Sequence, residues 1–164
     1  MDFNKLFKLA MKRNVPHLVD IDSGVHLNLG SGKSAIDGVY NLDYPIWDAD
    51  NDQIPYNDNT VSLIHAYHFL EHCAYPIEVL QECQRVLIPR GCMNICVPYY
   101  SSALNSQDLD HKHSFTEETW NTLFKNQYYD KNRIVWKFEI GFNLICGVAE
   151  RNLCLLTQLI KMED

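Results

Sequence analysis

Two glycines and an aspartate are the first residues of the sequence whose types and spacing could do chemistry. Gly30 and Gly32 follow directly on the apolar segment 25–29, and Asp43 closes the next apolar segment, 39–43. Glycine lets a ligand approach the backbone closely and lets the chain turn with a positive φ. A carboxylate at Asp43 could accept two hydrogen bonds from ligand hydroxyl groups, and such charge-assisted bonds are strong. The alternative is that Asp43 only begins the turn at the Tyr-Pro pair that follows it.

Three kinds of ligand site use a strand followed by a glycine loop. Residues 32–34 match the end of a P-loop, but that motif needs a glycine where Leu27 stands and a helix after the serine. Gly38 and the next predicted strand leave no room for that helix. A dinucleotide loop also opens a helix, and its acidic residue comes about 20 residues later, whereas Asp43 comes sooner. An S-adenosylmethionine site needs only a flat glycine loop for the methionine part and a carboxylate for the ribose.

Strands that alternate with helices are the elements that must position these residues. Runs of apolar residues predict the strands, and Pro76 stands where helices begin. Ser114 or Thr116 can cap a later helix, and the Pro-Arg-Gly run at 89–91 is expected to end the earlier one. The alternation predicts an α/β fold with helices on both faces of the sheet. Strands are predicted over 25–29, 39–43, 61–65, 92–97, around 134–140 and over 153–160.

The length of 164 residues predicts a single domain over residues 1–164. Residues 2–13 place apolar side chains at helical spacing, with lysines between them. A basic amphipathic helix of this kind could lie on a membrane surface, but more often it covers the edge of its own domain. We therefore predict that residues 1–22 form an N-terminal helical cover.

Composition and charge narrow the partners and the compartment. Lys and Arg total 14 against 21 Asp and Glu, and the net charge of −7 argues against a nucleic-acid partner. No apolar run approaches the roughly 20 residues of a membrane span, and the sequence shows no secretory signal. A cytoplasmic location with reduced cysteines follows. The six cysteines include no Cys-x2-Cys pair, so we predict no metal site and interpret them as small buried hydrophobic residues.

Several segments together resemble the class I S-adenosylmethionine-dependent methyltransferases, in particular the small type-11-like branch. The resemblance runs in register over about residues 25–125, and it is carried by the order and spacing of the segments. It implies a Rossmann-like mixed sheet of about seven strands with a shortened first crossover. The segments are LNLGSGK…DGVYNLDY, DADNDQIPYNDNTVSLIHAYHFLEHC, LQECQRVLIPRGCMNICVPYY and DLDHKHSFTEETW.

The resemblance implies S-adenosyl-L-methionine as the cofactor and suggests the residues that hold it. Gly30 and Gly32 are expected to line its methionine portion, and Asp43 is expected to bind the ribose. Asp50 matches the acidic position beside the adenine amino group, and Asp48 is the second choice for this role. The further cofactor contacts expected are Asn28, Ser31, Tyr44, Asn51, Tyr67, His68 and His72.

The acceptor side of the site is less defined than the cofactor side. Tyr99 and Tyr100 follow a strand at the sheet edge where ligands bind, so they are candidates for acceptor contacts, although one of them could instead pack under the sheet. His111 and His113, with His68, are candidates for a general base, although a structural role is the commoner one for such histidines. The short chain favours a small-molecule acceptor or a partner protein that completes the site. The alternative functions are a cofactor-binding module that needs such a partner and a Rossmann-type nucleotide binder, and the oligomeric state stays open.

Overall fold

The computed structural model describes residues 24–125, 134–148 and 151–163. The predicted helix over 2–13, and with it the N-terminal cover over 1–22, lies outside the described residues. None of the helices in the described part of the chain combines the length and the apolar character that a membrane crossing requires.

Six strands in the described residues form one mixed sheet, which confirms the predicted α/β fold class with one strand fewer than the expected seven or so. The order across the sheet is β2-β1-β3-β4-β6-β5. The first four strands in this order run parallel, whereas β6 runs antiparallel to both of its neighbours. The strands are β1 (Val25–Leu29), β2 (Tyr40–Leu42), β3 (Val61–Tyr67), β4 (Leu87–Pro98), β5 (Phe138–Cys146) and β6 (Cys154–Lys161).

Three helices are described: α1 (Pro76–Val86), α2 (Ala103–Gln107) and α3 (Glu117–Lys125). Helix α1 begins at the predicted proline, whose fixed φ suits the first helical turn. The sequence did not predict the short helix α2, which begins where the Ser102 side chain accepts a hydrogen bond from the Leu104 amide. Helix α3 begins directly after Thr116, as the capping pattern predicted.

Two element boundaries differ from the sequence-based expectation. Helix α1 ends at Val86, before the Pro-Arg-Gly run, and that run lies inside the long strand β4. Strand β5 was expected around 134–140 but spans Phe138–Cys146. A register shift between Ile140 and Phe142 moves the side chains that follow to the other face, so the alternation of apolar residues is broken there.

The main hydrophobic core lies on one face of the sheet, under α1 and α3. Trp120 of α3 is fully buried there, with its ring stacked on Phe115 and on Phe124. Every second side chain of the inner strands points to this face, as the pleat of a sheet requires. The strand residues of this core include Leu27, Leu29, Ile64, Ala66, Met93, Ile95, Val97, Leu155 and Leu159.

The opposite face of the sheet carries a row of buried polar side chains. Asn28, His65 and Asn94 are register partners on β1, β3 and β4, and Gln158 of β6 continues the row. Gln158 donates a hydrogen bond from Nε2 to Asn94 Oδ1 over 2.9 Å. Buried polar groups need hydrogen-bond partners, so this row stabilises the observed register of the four strands relative to registers shifted by one residue.

His65, in this row, makes stability depend on pH. Burial and, to a lesser extent, the charge of His26 lower the pKa of His65 from 6.5 to about 4. Its Nδ1 lies 2.8 Å from the Tyr67 hydroxyl oxygen, and a neutral ring can accept a hydrogen bond from that hydroxyl. The unfolded chain binds a proton at this histidine below about pH 6.5, whereas the folded protein does so only near pH 4. Stability therefore falls as the pH drops through this window, by about 2 kcal/mol between pH 7 and pH 5.

Urea unfolding of the wild type and of His65→Gln at the two pH values measures this contribution. Glutamine keeps an acceptor for the Tyr67 hydroxyl but does not titrate. The variant is therefore expected to lose about 2 kcal/mol less unfolding free energy than the wild type over the same pH change. Equal losses in the two proteins would mean that His65 does not titrate abnormally.

Candidate active site

Seven of the predicted site residues line one cavity at the edge of the sheet where β1, β2 and β3 end: Gly30, Asp43, Tyr44, Asp48, Asp50, His68 and His72. In open α/β sheets this edge is where ligands bind. The glycine loop follows β1, Asp43 follows β2, and residues 68–73 follow β3. A cavity of about 270 Å³ lies between them. Its lining residues are Gly30, Asp43, Tyr44, Trp47, Asp48, Ala49, Asp50, His68, Phe69, His72 and Cys73.

The two glycines of the loop have different roles in the structure. Gly30 has a φ of +62°, and a side-chain carbon there would overlap the Phe69 ring, so only glycine fits. Gly32 has a φ of +47°, and the space that a side chain would fill is open. Gly30 thus packs the loop against the segment after β3, whereas Gly32 presents bare backbone at the surface.

Asp43 lies against this loop, at the end of β2. Its Oδ2 accepts a hydrogen bond from the Gly32 amide over 2.7 Å. The Gly30 amide in turn donates to the Leu42 carbonyl over 2.9 Å. The carboxylate and the bare backbone therefore converge on one place, and the carboxylate also lines the cavity.

A pair of asparagines holds the loop in this shape. Asn28 and Asn41 are register partners on β1 and β2, and Asn28 Nδ2 donates to Asn41 Oδ1 over 2.8 Å and to the Ser34 carbonyl over 3.1 Å. Asn41 also accepts from the Ile36 amide and donates to the Ile36 and Val39 carbonyls. Asn28, predicted as a cofactor contact, is thus bonded to the loop itself. Sequence reasoning missed Asn41, because only the register of the two strands brings it to Asn28.

The acidic loop after β2 presents two carboxylates to the cavity. Asp50 Oδ1 and Oδ2 accept from the Ala74 amide over 2.8 and 3.0 Å, which ties the loop to the start of α1. Asp48 accepts from the Asp50 amide and from the Asn51 side chain. The hydrogen bond from Asn51 is the largest cause that lowers the pKa of Asp48. Both carboxylates line the cavity, whereas Asn51 does not.

His68 and Glu71 form a partly buried pair beside the cavity. His68 Nδ1 lies 3.2 Å from Glu71 Oε1, and the Glu71 side chain is fully buried. Burial by itself lowers the pKa of His68, but the hydrogen bonds and charges of Cys154 and Glu71 outweigh it and raise the pKa to about 9. Tyr67, its neighbour in the sequence, does not line the cavity, since its hydroxyl bonds to His65.

The two histidines predicted as general bases lie in different places. His111 packs edge-on against His72, a cavity residue, with ring centroids 4.7 Å apart. His111 Nδ1 lies 3.2 Å from the Asn105 carbonyl. His113 instead lines a second groove, of about 440 Å³, beside Trp120 of α3. The structure therefore brings His111 close to the candidate site and places His113 elsewhere.

The two tyrosines after β4 also differ. Tyr99 donates its hydroxyl to Glu117 Oε2 over 2.8 Å and packs partly against the main core. This hydrogen bond is the largest cause that raises the pKa of Tyr99. Tyr100 is 54% exposed, with its ring edge-on to Tyr99 at 4.9 Å. Tyr100 is thus the one of the two whose side chain is open to an incoming molecule.

Several lining residues were not predicted, and Trp47 is the largest of them. Its side chain is buried, and its Nε1 donates to the Gln53 carbonyl over 3.2 Å. The sequence did contain a signal for this residue, because a large apolar side chain in a segment otherwise rich in Asp, Asn and Pro is expected to be buried. Ser31, also predicted as a contact, is buried and is not part of the cavity wall.

Comparison with known proteins gives a family and a fold. The family model for a methyltransferase domain matches residues 10–95. No curated protein sequence matches the chain. Among solved structures, a SAM-dependent methyltransferase of Archaeoglobus fulgidus is 14% identical, with a TM-score of 0.60 over 96% of this chain and 94% of that chain. Another, of Methanosarcina mazei, is 12% identical, with a TM-score of 0.59 over 94% and 98%.

A third similar structure is a complex. It joins the Trm112 methyltransferase activator of Haloferax volcanii to a candidate methyltransferase. The match has 13% identity and a TM-score of 0.61, and it covers 96% of this chain and 89% of that chain. At these identities the three structures show a shared fold.

Proposed function

The chain belongs to the S-adenosylmethionine-dependent methyltransferases, and from this premise we propose that the cavity beside the glycine loop binds the cofactor for methyl transfer to a small-molecule acceptor. The observation that carries this proposal is the hydrogen bond between Asp43 and the Gly32 amide. This bond places a carboxylate and exposed backbone side by side at the carboxyl ends of the strands, where open α/β sheets bind ligands. The cofactor needs both, the carboxylate for its ribose and the backbone for its methionine part.

The residues of the cavity fit this cofactor in kind. A volume of about 270 Å³ is close to the lower end of the usual range for small-ligand pockets, roughly 300–1,000 Å³. The space at Gly32, where an added side chain would meet no neighbour, is proposed to extend the site beyond the cavity. Asp43 is proposed to accept the ribose hydroxyls, and Asp50 or Asp48 the adenine amino group. Both oxygens of Asp50 and both oxygens of Asp48 already accept hydrogen bonds, so these bonds do not rank one carboxylate above the other, and Asp50 stays the first choice.

When bound, the cofactor supplies a methyl group on a positively charged sulfur, which a nucleophile can take by in-line displacement. The protein's part is to hold both molecules in line and to exclude water, which can be worth about 7–11 kcal/mol of barrier. Tyr100, exposed at the sheet edge, is proposed to contact the acceptor. His111 is proposed over His113 as the base for a hydroxyl acceptor, since only His111 packs on a cavity residue.

A second function is a cofactor-binding subunit that is incomplete without a partner protein. The structural similarity to a chain from the Trm112 activator complex favours testing it. This function predicts tight cofactor binding without methyl transfer by the chain alone. Methyl transfer that appears on addition of a partner would support it.

Calorimetry separates cofactor binding from nucleotide binding. The full chain is titrated with S-adenosylhomocysteine, ATP and NAD in parallel. We expect binding of S-adenosylhomocysteine and none of the other two at matched concentrations. Binding of NAD or ATP without binding of S-adenosylhomocysteine would overturn the proposal and favour a Rossmann-type nucleotide site.

Label transfer then separates the enzyme from the binding subunit. The chain is incubated with methyl-labelled cofactor and small-molecule extracts, and the extract is analysed for labelled products. Labelled small molecules that depend on the chain would support the enzyme. Tight binding of S-adenosylhomocysteine with no labelled product in any extract would favour the subunit that needs a partner.

A further inference from the structure

Two cysteine sulfurs and one histidine nitrogen come together on the face of the sheet opposite the main core. The Nε2 atom of His68 lies 3.9 Å from Cys96 Sγ and 3.8 Å from Cys154 Sγ. All three atoms lie within 4.8 Å of one another, and both cysteines are free thiols. We propose that His68, Cys96 and Cys154 form a zinc site, a role that the proposed methyl transfer does not use.

The distances suit a tetrahedral ion. Zinc binds thiolate sulfur at about 2.3 Å and imidazole nitrogen at about 2.0–2.1 Å, so nitrogen and sulfur on one ion stand about 3.6 Å apart. The observed separations exceed this value by only a few tenths of an ångström. Two thiolates and one imidazole select zinc over magnesium or calcium, which prefer oxygen ligands.

Glu71 gives the histidine the orientation that a metal ligand needs. Its Oε1 accepts from His68 Nδ1 over 3.2 Å, which leaves Nε2 directed toward the two sulfurs. A carboxylate behind a ligating histidine is the usual support in zinc sites, because it fixes the tautomer and the ring. Glu71 is fully buried, so its carboxylate is held in a fixed position behind the His68 ring.

The backbone positions of the two cysteines are rigid. Cys96 lies on β4 and pairs with Leu156, whereas Cys154 lies two residues earlier on β6 and pairs with Pro98. Residues two apart point to one face, so both thiols project to the same side of neighbouring strands. Both are buried. Three protein ligands leave a fourth position for water or a substrate atom, as in catalytic zinc sites.

Metal content and cobalt spectra test the site without cofactor or acceptor, so the result does not depend on the proposed function. The full chain, kept reduced and loaded with zinc, is expected to retain one zinc per chain after dialysis. Cobalt(II) in place of zinc is expected to give a thiolate-to-cobalt charge-transfer band. Zinc affinity, measured against a chromophoric chelator, is expected to fall more than about 100-fold in Cys96→Ala and Cys154→Ala, and about 10–100-fold in Glu71→Gln.

Cys92→Ala is the matched control, because Cys92 is buried on the same strand and the same face but outside the three-ligand set. It is expected to keep the zinc affinity of the wild type. The proposal is overturned if the wild type shows no sulfur-to-cobalt band, or if Cys154→Ala binds zinc as tightly as Cys92→Ala does. Should an alanine variant not fold, the wild-type cobalt spectrum decides.

A different metal site would give a different signature. Glu71, His72 and His111 also bring three ligand atoms within 4.8 Å of one another, with no sulfur among them. Metal that binds without a sulfur-to-cobalt band, and that is lost in His111→Ala but kept in Cys154→Ala, would lie there. That outcome would overturn the cysteine site.

Discussion

Replacing Asp43 with alanine is expected to weaken S-adenosylhomocysteine binding by about 1.5–3 kcal/mol, or roughly 10–150-fold in Kd. Two effects act in the same direction. In the proposed site the ribose hydroxyls would lose a charged acceptor, and the Gly32 amide would lose the carboxylate oxygen to which it donates over 2.7 Å. Isothermal calorimetry at constant salt measures the change, with circular dichroism to confirm that the variant is folded.

Two further variants separate these effects. Asp43→Asn keeps an oxygen for the Gly32 amide but has no charge and one acceptor fewer, so we expect most of the loss to remain. Asp37→Ala removes an exposed carboxylate from the same crossover and is expected to leave binding unchanged. If Asp43→Ala bound S-adenosylhomocysteine as tightly as Asp37→Ala, the ribose role of Asp43 would be wrong.

The features that local sequence determines were predicted well. The glycine loop, the strand before it and Asp43 lie within one short stretch, where apolar alternation and turn residues are enough to place them. Helix α1 could be predicted from Pro76 and its apolar face. The order of such segments along the chain was enough to indicate the fold class.

The features that were missed depend on register between distant strands. Cys96 and Cys154 meet only because β6 returns antiparallel beside β4, and no local spacing of cysteines encodes this. Asn41 reaches Asn28 only through the pairing of β1 with β2. The shift between Ile140 and Phe142 in β5 likewise hides the alternation from which a strand is predicted.

Arg85, in the last turn of α1, makes several hydrogen bonds to the loop after β2. Its Nε and Nη2 donate to the two Glu82 oxygens over 2.9 and 2.8 Å. The guanidinium also donates to the Ile54 and Tyr56 carbonyls and to Asp58. Glu82 Oε2 in turn accepts from the Ile54 amide over 3.0 Å. The acidic loop that carries Asp48 and Asp50 is thus tied, at its far end, to the last turn of α1.

Arg85→Ala is therefore expected to lower the unfolding free energy by about 2–4 kcal/mol in urea titrations. The alanine removes the guanidinium bonds to Glu82, to Asp58 and to the Ile54 and Tyr56 carbonyls, while the side-chain exposure of 27% lets water replace part of them. Arg85→Lys should recover only a part, because an ammonium cannot reproduce the planar fork that bonds Glu82 through two nitrogens.

Arg90→Ala is the matched control for Arg85→Ala. Arg90 makes one ion pair, with Glu139, and both side chains are more than a third exposed, so its loss should cost less than about 1 kcal/mol. The ratio of the two effects tests whether Arg85 stabilises the loop through its several bonds or only contributes surface charge. Equal destabilisation by the two alanine variants would contradict the first explanation, and the acidic loop would then be held by the bonds of Asp50 to the Ala74 amide and by the burial of Ile54 and Trp47.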